Sequence, residues 1–343
     1  MFCPTVPDGY WLCRYGDRIY VTGNTHNLTR KCSKKPDVVR KRVMEGKEIV
    51  DVLDALASML RPAIQGPFSC GDWAGIEARV LPWLTQTHPP RHPEEYEADD
   101  AAVEYLNQFR RGEDVYINTA EKFGGTRFEG KVASLALGFQ GGVGAFQAMA
   151  RNFGVKFSDA RADEIKKGWR ETNPWAPLFW RRVDEAAWRA IRPGHEGEWQ
   201  QAGRLWYGKV PGTGPLVCRL PSGRMLYYPE IEIGEDKWGN PVLTAIKGSW
   251  KPKADEKKWP RFDLYGGLLS ENATQAAAAD LLMDCMLRIE ARAPGMIEGH
   301  THDEVICREG ALDVLKEEMM RLPSWAEGLP LDAEFWTGPR YRK

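Results

Sequence analysis

The pattern of elements in the sequence predicts an α+β fold, in which antiparallel strand pairs with helices accompany a mostly helical subdomain. Three observations carry this expectation. Apolar residues recur at helical spacing over residues 47–65 and again over 76–84. A helical, Trp-rich stretch occupies 155–195. The segments 216–228 and 296–308 change period and read as strand pairs meeting at turns. At 343 residues, 43% hydrophobic and 28% charged, the chain can bury a large core and form two or three lobes.

Composition excludes several classes. No apolar run approaches the roughly 20 residues that span a bilayer, and no signal peptide opens the chain. The seven cysteines are scattered and form no C-x-x-C pair. This argues for reduced thiols in a cytoplasmic setting and against structural zinc. With a net charge of −1, nucleic acid would have to be held by local basic patches.

The first 66 residues hold short strand-like stretches and a basic segment in which Arg30, Lys31, Lys34, Lys35, Arg40, Lys41 and Arg42 fall within thirteen positions. Such a run is a solvated surface or a contact to a phosphate backbone, and both readings stand. Residues 47–65 place Ile49, Val50, Leu53, Leu56, Ala57 and Leu60 on one helical face ending before Pro62. Next, Pro67 to Trp73 reads as a strand running into a helix that carries Ile76, Val80, Trp83 and Leu84. Asp72 therefore stands where strand meets helix, as a helix N-cap or as a rigidly held metal ligand, with Glu77 about one turn on. Residues 85–113, opening on a Pro- and His-rich run followed by acidic residues, read as an insertion or surface loop.

From Val115 to Phe153 two helices are expected, broken at Gly124-Gly125. The second stacks Arg127, Lys131, Leu135 and Phe139 along one face. A face cationic at one end and aromatic at the other suits a nucleotide, with phosphates on the cations and the base on the ring. Gly138, Gly141, Gly142 and Gly144 follow without forming a P-loop signature. After the strand pair at 216–228 a long helix spans about 270–291. A hairpin at 296–308 then places His302-Asp303-Glu304 at its tip, beside the strand carrying Asp72.

Two carboxylate pairs, Asp72 with Glu77 and Asp303 with Glu304, together with Arg127 and Lys131 one helical turn apart, are the minimum equipment of a nucleotidyl transferase. In order and wording they resemble motifs A, B and C of family A DNA polymerases. Asp72-Trp73-Ala74-Gly75-Ile76-Glu77-Ala78-Arg79 is similar to motif A. Arg127-x₃-Lys131 with Phe139 resembles motif B, and His302-Asp303-Glu304 matches motif C. Weaker echoes are Arg18 before Asn27-Leu28-Thr29-Arg30, Asp114-Val115-Tyr116, and Tyr265-Gly266-Gly267 with Ser270 to Ala276, the last like a helix of phage-type members. Leu135 and Gln140 depart from the family pattern, which usually has an aromatic and a glycine there.

The resemblance implies a right-hand polymerase core: palm over 1–84 and 213–343, and a mostly helical fingers subdomain over 85–212. It also implies that thumb and exonuclease domains are absent, and with them proofreading, with a separate chain as one possible supplier. By that likeness Asp72, Asp303 and the backbone of Trp73 hold two Mg²⁺ ions, for which Mn²⁺ can substitute. Lys131 and Glu304 join the catalytic set. Arg127, Lys131, Phe139, Tyr116 and Glu77 contact the incoming deoxynucleoside triphosphate, with Glu77 excluding a ribose 2′-hydroxyl. Arg18, Arg30, Asn272, Gln275 and His302 contact primer-template DNA. A single-subunit RNA polymerase and an inactive or accessory nucleic-acid-binding remnant are the rival readings.

Overall fold

The computed structural model describes residues 10–15, 18–23, 41–42, 44–46, 64–86, 93–195, 197–212, 214–236, 239–246 and 260–341. Arg30, the Asn27–Arg30 motif, the basic segment up to Arg40, residues 47–63 of the helix expected over 47–65 and residues 87–92 lie outside the described residues, and Gln65 opens a strand instead. Lys41 and Arg42, at the end of the basic segment, are exposed, and Lys41 pairs with Glu45 one turn on at 3.8 Å.

In chain order the elements are β1 (Tyr10–Tyr15), β2 (Arg18–Gly23), β3 (Gln65–Trp73), α1 (Ile76–Thr85), α2 (Pro93–Arg110), α3 (Val115–Glu121), α4 (Arg127–Leu137), α5 (Val143–Asn152), α6 (Asp159–Thr172) and α7 (Trp175–Ala190). There follow β4 (Gln200–Ala202), β5 (Leu205–Lys209), β6 (Leu216–Arg219), β7 (Met225–Tyr228), β8 (Glu232–Glu235), β9 (Pro241–Ile246), β10 (Arg261–Leu264), α8 (Gly266–Arg292), β11 (Ile297–Thr301), β12 (Glu304–Arg308), α9 (Leu312–Met320) and β13 (Ala333–Arg340). Helices and wholly antiparallel sheets are mixed, as expected for an α+β fold. The chain divides into two compact units, one built on Gly75–Ala278 with Ser324–Pro330, the other on Phe2–Ala74, Ala279–Pro323 and Leu331–Lys343.

The second unit is organised by the four-stranded sheet β11-β12-β3-β13. Its central strand β3 buries Phe68, Ser69, Cys70 and Trp73, which an inner strand flanked on both edges must do. Phe68 and Cys70 pack with Tyr341, Ile306 and Trp336. The Trp73 indole N–H donates to the Met319 carbonyl at 2.9 Å, fastening α9 to the sheet. The C-terminal half of α8 is tied to α9 by Glu318, which is 1% exposed and accepts from Arg288 and Arg292 at 2.8 Å each. In the same unit β1 and β2 pair, with Arg18 opening β2.

The other unit holds α1 to α7, two small sheets ordered β4-β5-β6-β7 and β10-β9-β8, and the start of α8. Its core is aromatic and aliphatic: Trp83, Trp169, Phe146, Phe179, Leu106, Leu137 and Ile165 are all fully buried. Three helix starts obey capping rules. Asp114 accepts from the N–H groups of Tyr116 and Ile117 at α3, and Ser158 from that of Arg161 at α6. Thr126 and Glu129 form a reciprocal capping box at α4.

Two expectations are corrected. Residues 93–110 are a helix, not a loop: Ala98, Ala102, Tyr105 and Leu106 are buried at helical spacing, a stripe masked in the sequence by the acidic run before it. Residues 115–153 hold three helices rather than two. The chain breaks a second time at 138–142, so α4 ends at Leu137 and α5 begins at Val143.

Candidate active site

In the unit built on the four-stranded sheet, strand pairing gathers motif A and motif C residues. Glu304, the first residue of β12, pairs in register with Asp72 on β3, and Val305 with Gly71. The Trp73 N–H donates to the Asp303 carbonyl at 3.2 Å, so the His302-Asp303 turn is fastened to the end of β3. Asp72 and Asp303 are both half-buried, while His302 is exposed with φ +54. Histidine in the left-handed region costs on the order of 1 kcal/mol, and such positions cluster where a chain must present functional groups. Glu304 is fully buried, and its Oε2 accepts from the Tyr341 hydroxyl at 2.5 Å. Burial pushes the Cys70 thiol far up, with Glu304 adding to the effect, and pushes Cys307 up to about 12. Both stay protonated and offer no thiolate beside the carboxylates.

In the helical unit, Arg127 is exposed at the first turn of α4. Its Nε donates to Asp114 Oδ2 at 2.5 Å, and its guanidinium lies 5.6 Å from the centre of the Tyr116 ring. Burial alone would raise the Asp114 pKa. The Arg127 guanidinium and the two helix N–H groups outweigh it and hold the carboxyl below its usual range. Gly130 brings α3 and α4 together: a Cβ there would lie 2.0 Å from the Tyr116 carbonyl oxygen. Lys131, one turn beyond Arg127, is half-buried and makes no ion pair among the described residues.

Elsewhere in this unit Gln275 on α8 donates to Glu77 on α1 at 2.5 Å. Burial, then the Glu77 carboxylate, raises the pKa of Glu271 one turn earlier on α8. Asn272 donates a long 3.4 Å bond to the Tyr228 hydroxyl. Arg79, the motif A arginine, is buried with its guanidinium 4.1 Å over the Phe109 ring. The Tyr265-Gly266-Gly267 step is a seat for α8. A Cβ on Gly266 would lie 2.0 Å from the Trp180 carbonyl oxygen, and one on Gly267 2.4 Å from that of Phe139. Gln140, with φ +63, accepts from the Gly267 N–H through Oε1 at 2.8 Å.

Within its unit the sheet thus brings together Asp72, Trp73, His302, Asp303 and Glu304. The helices bring Arg127 to Tyr116, and Glu77 to Gln275. Asn272 is turned to Tyr228, and Phe139 follows the end of α4. Sequence reasoning missed two contributors. Asp114 was legible as an N-cap followed by an aromatic in the Asp114-Val115-Tyr116 step, but Tyr341 has no sequence signal, because its partner Glu304 lies 37 residues away.

The donor set suits a hard cation. Among the described residues no group of three or more His, Cys, Asp or Glu forms a closed metal cage. Mg²⁺ does not require one, since it binds through one or two carboxylates, waters and substrate phosphates. Asp72 and Asp303, with the Trp73 carbonyl, are oxygen donors of that kind.

The fold is similar to that of a DNA polymerase POL domain. It is similar to the POL domain of Pol1 from M. smegmatis, solved in complex with DNA primer-template and dNTP, with a TM-score of 0.51 and 15% identity, covering 85% of this chain and 43% of that one. By sequence the chain is a relative of the DNA polymerase of Bacillus phage SP02, 33% identical over 294 residues, which cover 82% of this chain and 42% of the phage protein. The chain spans about two fifths of the length of both proteins it matches. No protein-family model matches it. Both likenesses agree with the resemblance to family A DNA polymerases carried by the motifs. Among the described residues no helix is long and apolar enough to cross a membrane.

Proposed function

We propose that this chain is a template-directed DNA polymerase, extending a primer 3′ end with deoxynucleotides by two-metal-ion phosphoryl transfer. The observation that carries this reading is the pairing of β12 with β3, which sets Asp303 against the backbone of Trp73 and so beside Asp72. In the transfer, the primer 3′-oxygen forms a bond to the α-phosphorus of the nucleotide, and the bond from that phosphorus to pyrophosphate breaks. Two Mg²⁺ ions bound here would lower the pKa of the 3′-hydroxyl and balance the charge of the triphosphate and departing pyrophosphate.

In this reading Asp72, Asp303 and the Trp73 carbonyl hold the ions. Lys131, a half-buried cation with no ion-pair partner among the described residues, meets the triphosphate and donates a proton to the leaving pyrophosphate. Arg127 exchanges its Asp114 partner for phosphate oxygens, with Tyr116 supporting its guanidinium. Glu77, held by Gln275, excludes the 2′-hydroxyl of a ribonucleotide. Primer-template is met by Arg18, Arg30, Gln275, Asn272 and His302, the minor groove offering acceptors common to all correct pairs. Proofreading is assigned to none of these residues.

The test is primer extension in Mg²⁺ with deoxynucleotides against ribonucleotides. Template-dependent deoxynucleotide addition is expected. Preference for ribonucleotides would favour an RNA polymerase, and primer-template binding without extension would favour an accessory remnant.

A further inference from the structure

The activity proposed above leaves one buried polar pair unexplained. Glu304 is 0% exposed and Tyr341 2%, yet the Tyr341 hydroxyl donates to Glu304 Oε2 at 2.5 Å inside an otherwise apolar cluster. A buried carboxylate is costly unless donors meet it, so this bond does more for Glu304 than a surface bond would. Its place in the sheet matters further. Glu304 directly follows Asp303, pairs in register with Asp72, and begins the strand after the strained His302-Asp303 turn.

Tyr341 is itself immobilised at three further points. Its N–H donates to the Ile64 carbonyl at 3.0 Å, just ahead of β3. Its ring lies 6.3 Å from that of Trp336, inclined at 31°, and packs with Phe68 and Cys70. One residue thus links the start of β3, through its backbone N–H, to the strand that follows the turn, through its hydroxyl. The two-residue turn is held to β3 by the Trp73 N–H on the Asp303 carbonyl, and its histidine is left-handed. The Tyr341 bond to Glu304, on its C-terminal flank, further limits where Asp303 can go.

We propose that Tyr341 is a positioning residue: acting through Glu304, its hydroxyl holds the His302-Asp303 turn in register with Asp72, and thereby sets the separation of the two ion-binding carboxylates. The inference rests on the proposed metal site. It predicts that loss of one hydroxyl group, remote from any substrate, weakens Mg²⁺ binding and slows chemistry while leaving nucleotide affinity alone. Tyr341→Phe keeps the ring and removes the donor. Ile289→Val serves as control, since it loosens a fully buried position of the same unit outside the cluster that holds Tyr341.

Two readouts are compared. The first is the Mg²⁺ concentration giving the half-maximal rise in Tm of the protein without DNA. The second is single-nucleotide primer extension, resolved into kcat and KM. Tyr341→Phe should shift the Mg²⁺ midpoint upward several-fold and lower kcat about 10-fold, the scale of sub-ångström misplacement, with KM for the nucleotide within about twofold. Ile289→Val should lower Tm while leaving the Mg²⁺ midpoint and kcat in place. If Tyr341→Phe merely lowers Tm as Ile289→Val does, or if the wild-type protein shows no Mg²⁺-dependent rise, the positioning role is overturned. A wild-type protein that extends no primer but responds to Mg²⁺ would sink the polymerase reading alone, and the midpoint comparison would still decide the role of Tyr341.

Discussion

Gln275 on α8 donates a 2.5 Å hydrogen bond to the carboxylate of Glu77 on α1, joining residues 198 positions apart. The residue proposed to exclude the ribose 2′-hydroxyl is therefore oriented by one proposed to read the primer-template minor groove. In the proposed roles, sugar choice and pairing at the primer end share a contact.

That contact makes sugar discrimination sensitive at both ends. Glu77→Ala should raise ribonucleotide incorporation relative to deoxynucleotide by about 10-fold or more, the range available to a pocket that distinguishes one small group. Gln275→Ala should move the ratio in the same direction by a smaller factor, because Glu77 remains but is free to turn. Competing ribo- and deoxynucleotides in single-turnover extension give the ratio. An unchanged ratio in both variants would leave Glu77 as an ordinary helix residue.

Asp72→Ala and Asp303→Ala should each reduce nucleotide addition on the order of 10³-fold or more, as expected when a preorganised charge clamp is dismantled. Primer-template affinity, measured by fluorescence anisotropy, should change little. Near-wild-type extension by either variant would refute the site assignment.

Gln140 offers a backbone test. Its left-handed φ costs on the order of 1 kcal/mol, while its bond to the buried Gly267 N–H returns a similar amount. Gln140→Gly exchanges one for the other and should leave stability nearly unchanged. Gln140→Ala keeps the strain and loses the bond, so it should destabilise by about 1 kcal/mol in denaturant titrations. Equal losses in the two variants would show that the backbone there is unstrained.

Glu318 gives a pH signature. Burial raises its pKa, but hydrogen bonds from Arg292 and Arg288 outweigh that and hold it below the usual carboxylate range. A depressed carboxylate stabilises the fold above its unfolded pKa and loses that contribution as pH falls through the folded value. Glu318→Gln should therefore cost about 3 kcal/mol at pH 7, and the difference from wild type should narrow below about pH 4. A pH-independent difference would mean that packing, not charge, is what Glu318 supplies.

Much of the site could be read from the chain because its residues sit on regular elements with strong local signals. The run from Pro67 to Trp73 is a strand, and the hairpin around His302-Asp303 turns where expected, so the pairing of Asp72 with Glu304 follows from two short segments. Helix α2 was missed because its buried stripe begins behind charged residues that dominate the local composition. The end of α4 was set too late because helical spacing continues formally past Leu137, where the regular helix stops. The Tyr341–Glu304 bond leaves no local trace at all, since tertiary packing alone creates it.

The seat beneath α8 bears on how function can be mapped by mutation. Even a methyl group at Gly266 or Gly267 would intrude on the backbone at Trp180 or Phe139. Alanine scanning through Tyr265-Gly266-Gly267 would therefore silence the protein for mechanical reasons, and an inactive variant at either glycine says nothing about contact with nucleotide or DNA. Only Tyr265, half-exposed beside them, can be interrogated chemically in that motif. A Tyr265→Phe variant separates a true ligand contact from a collapsed joint.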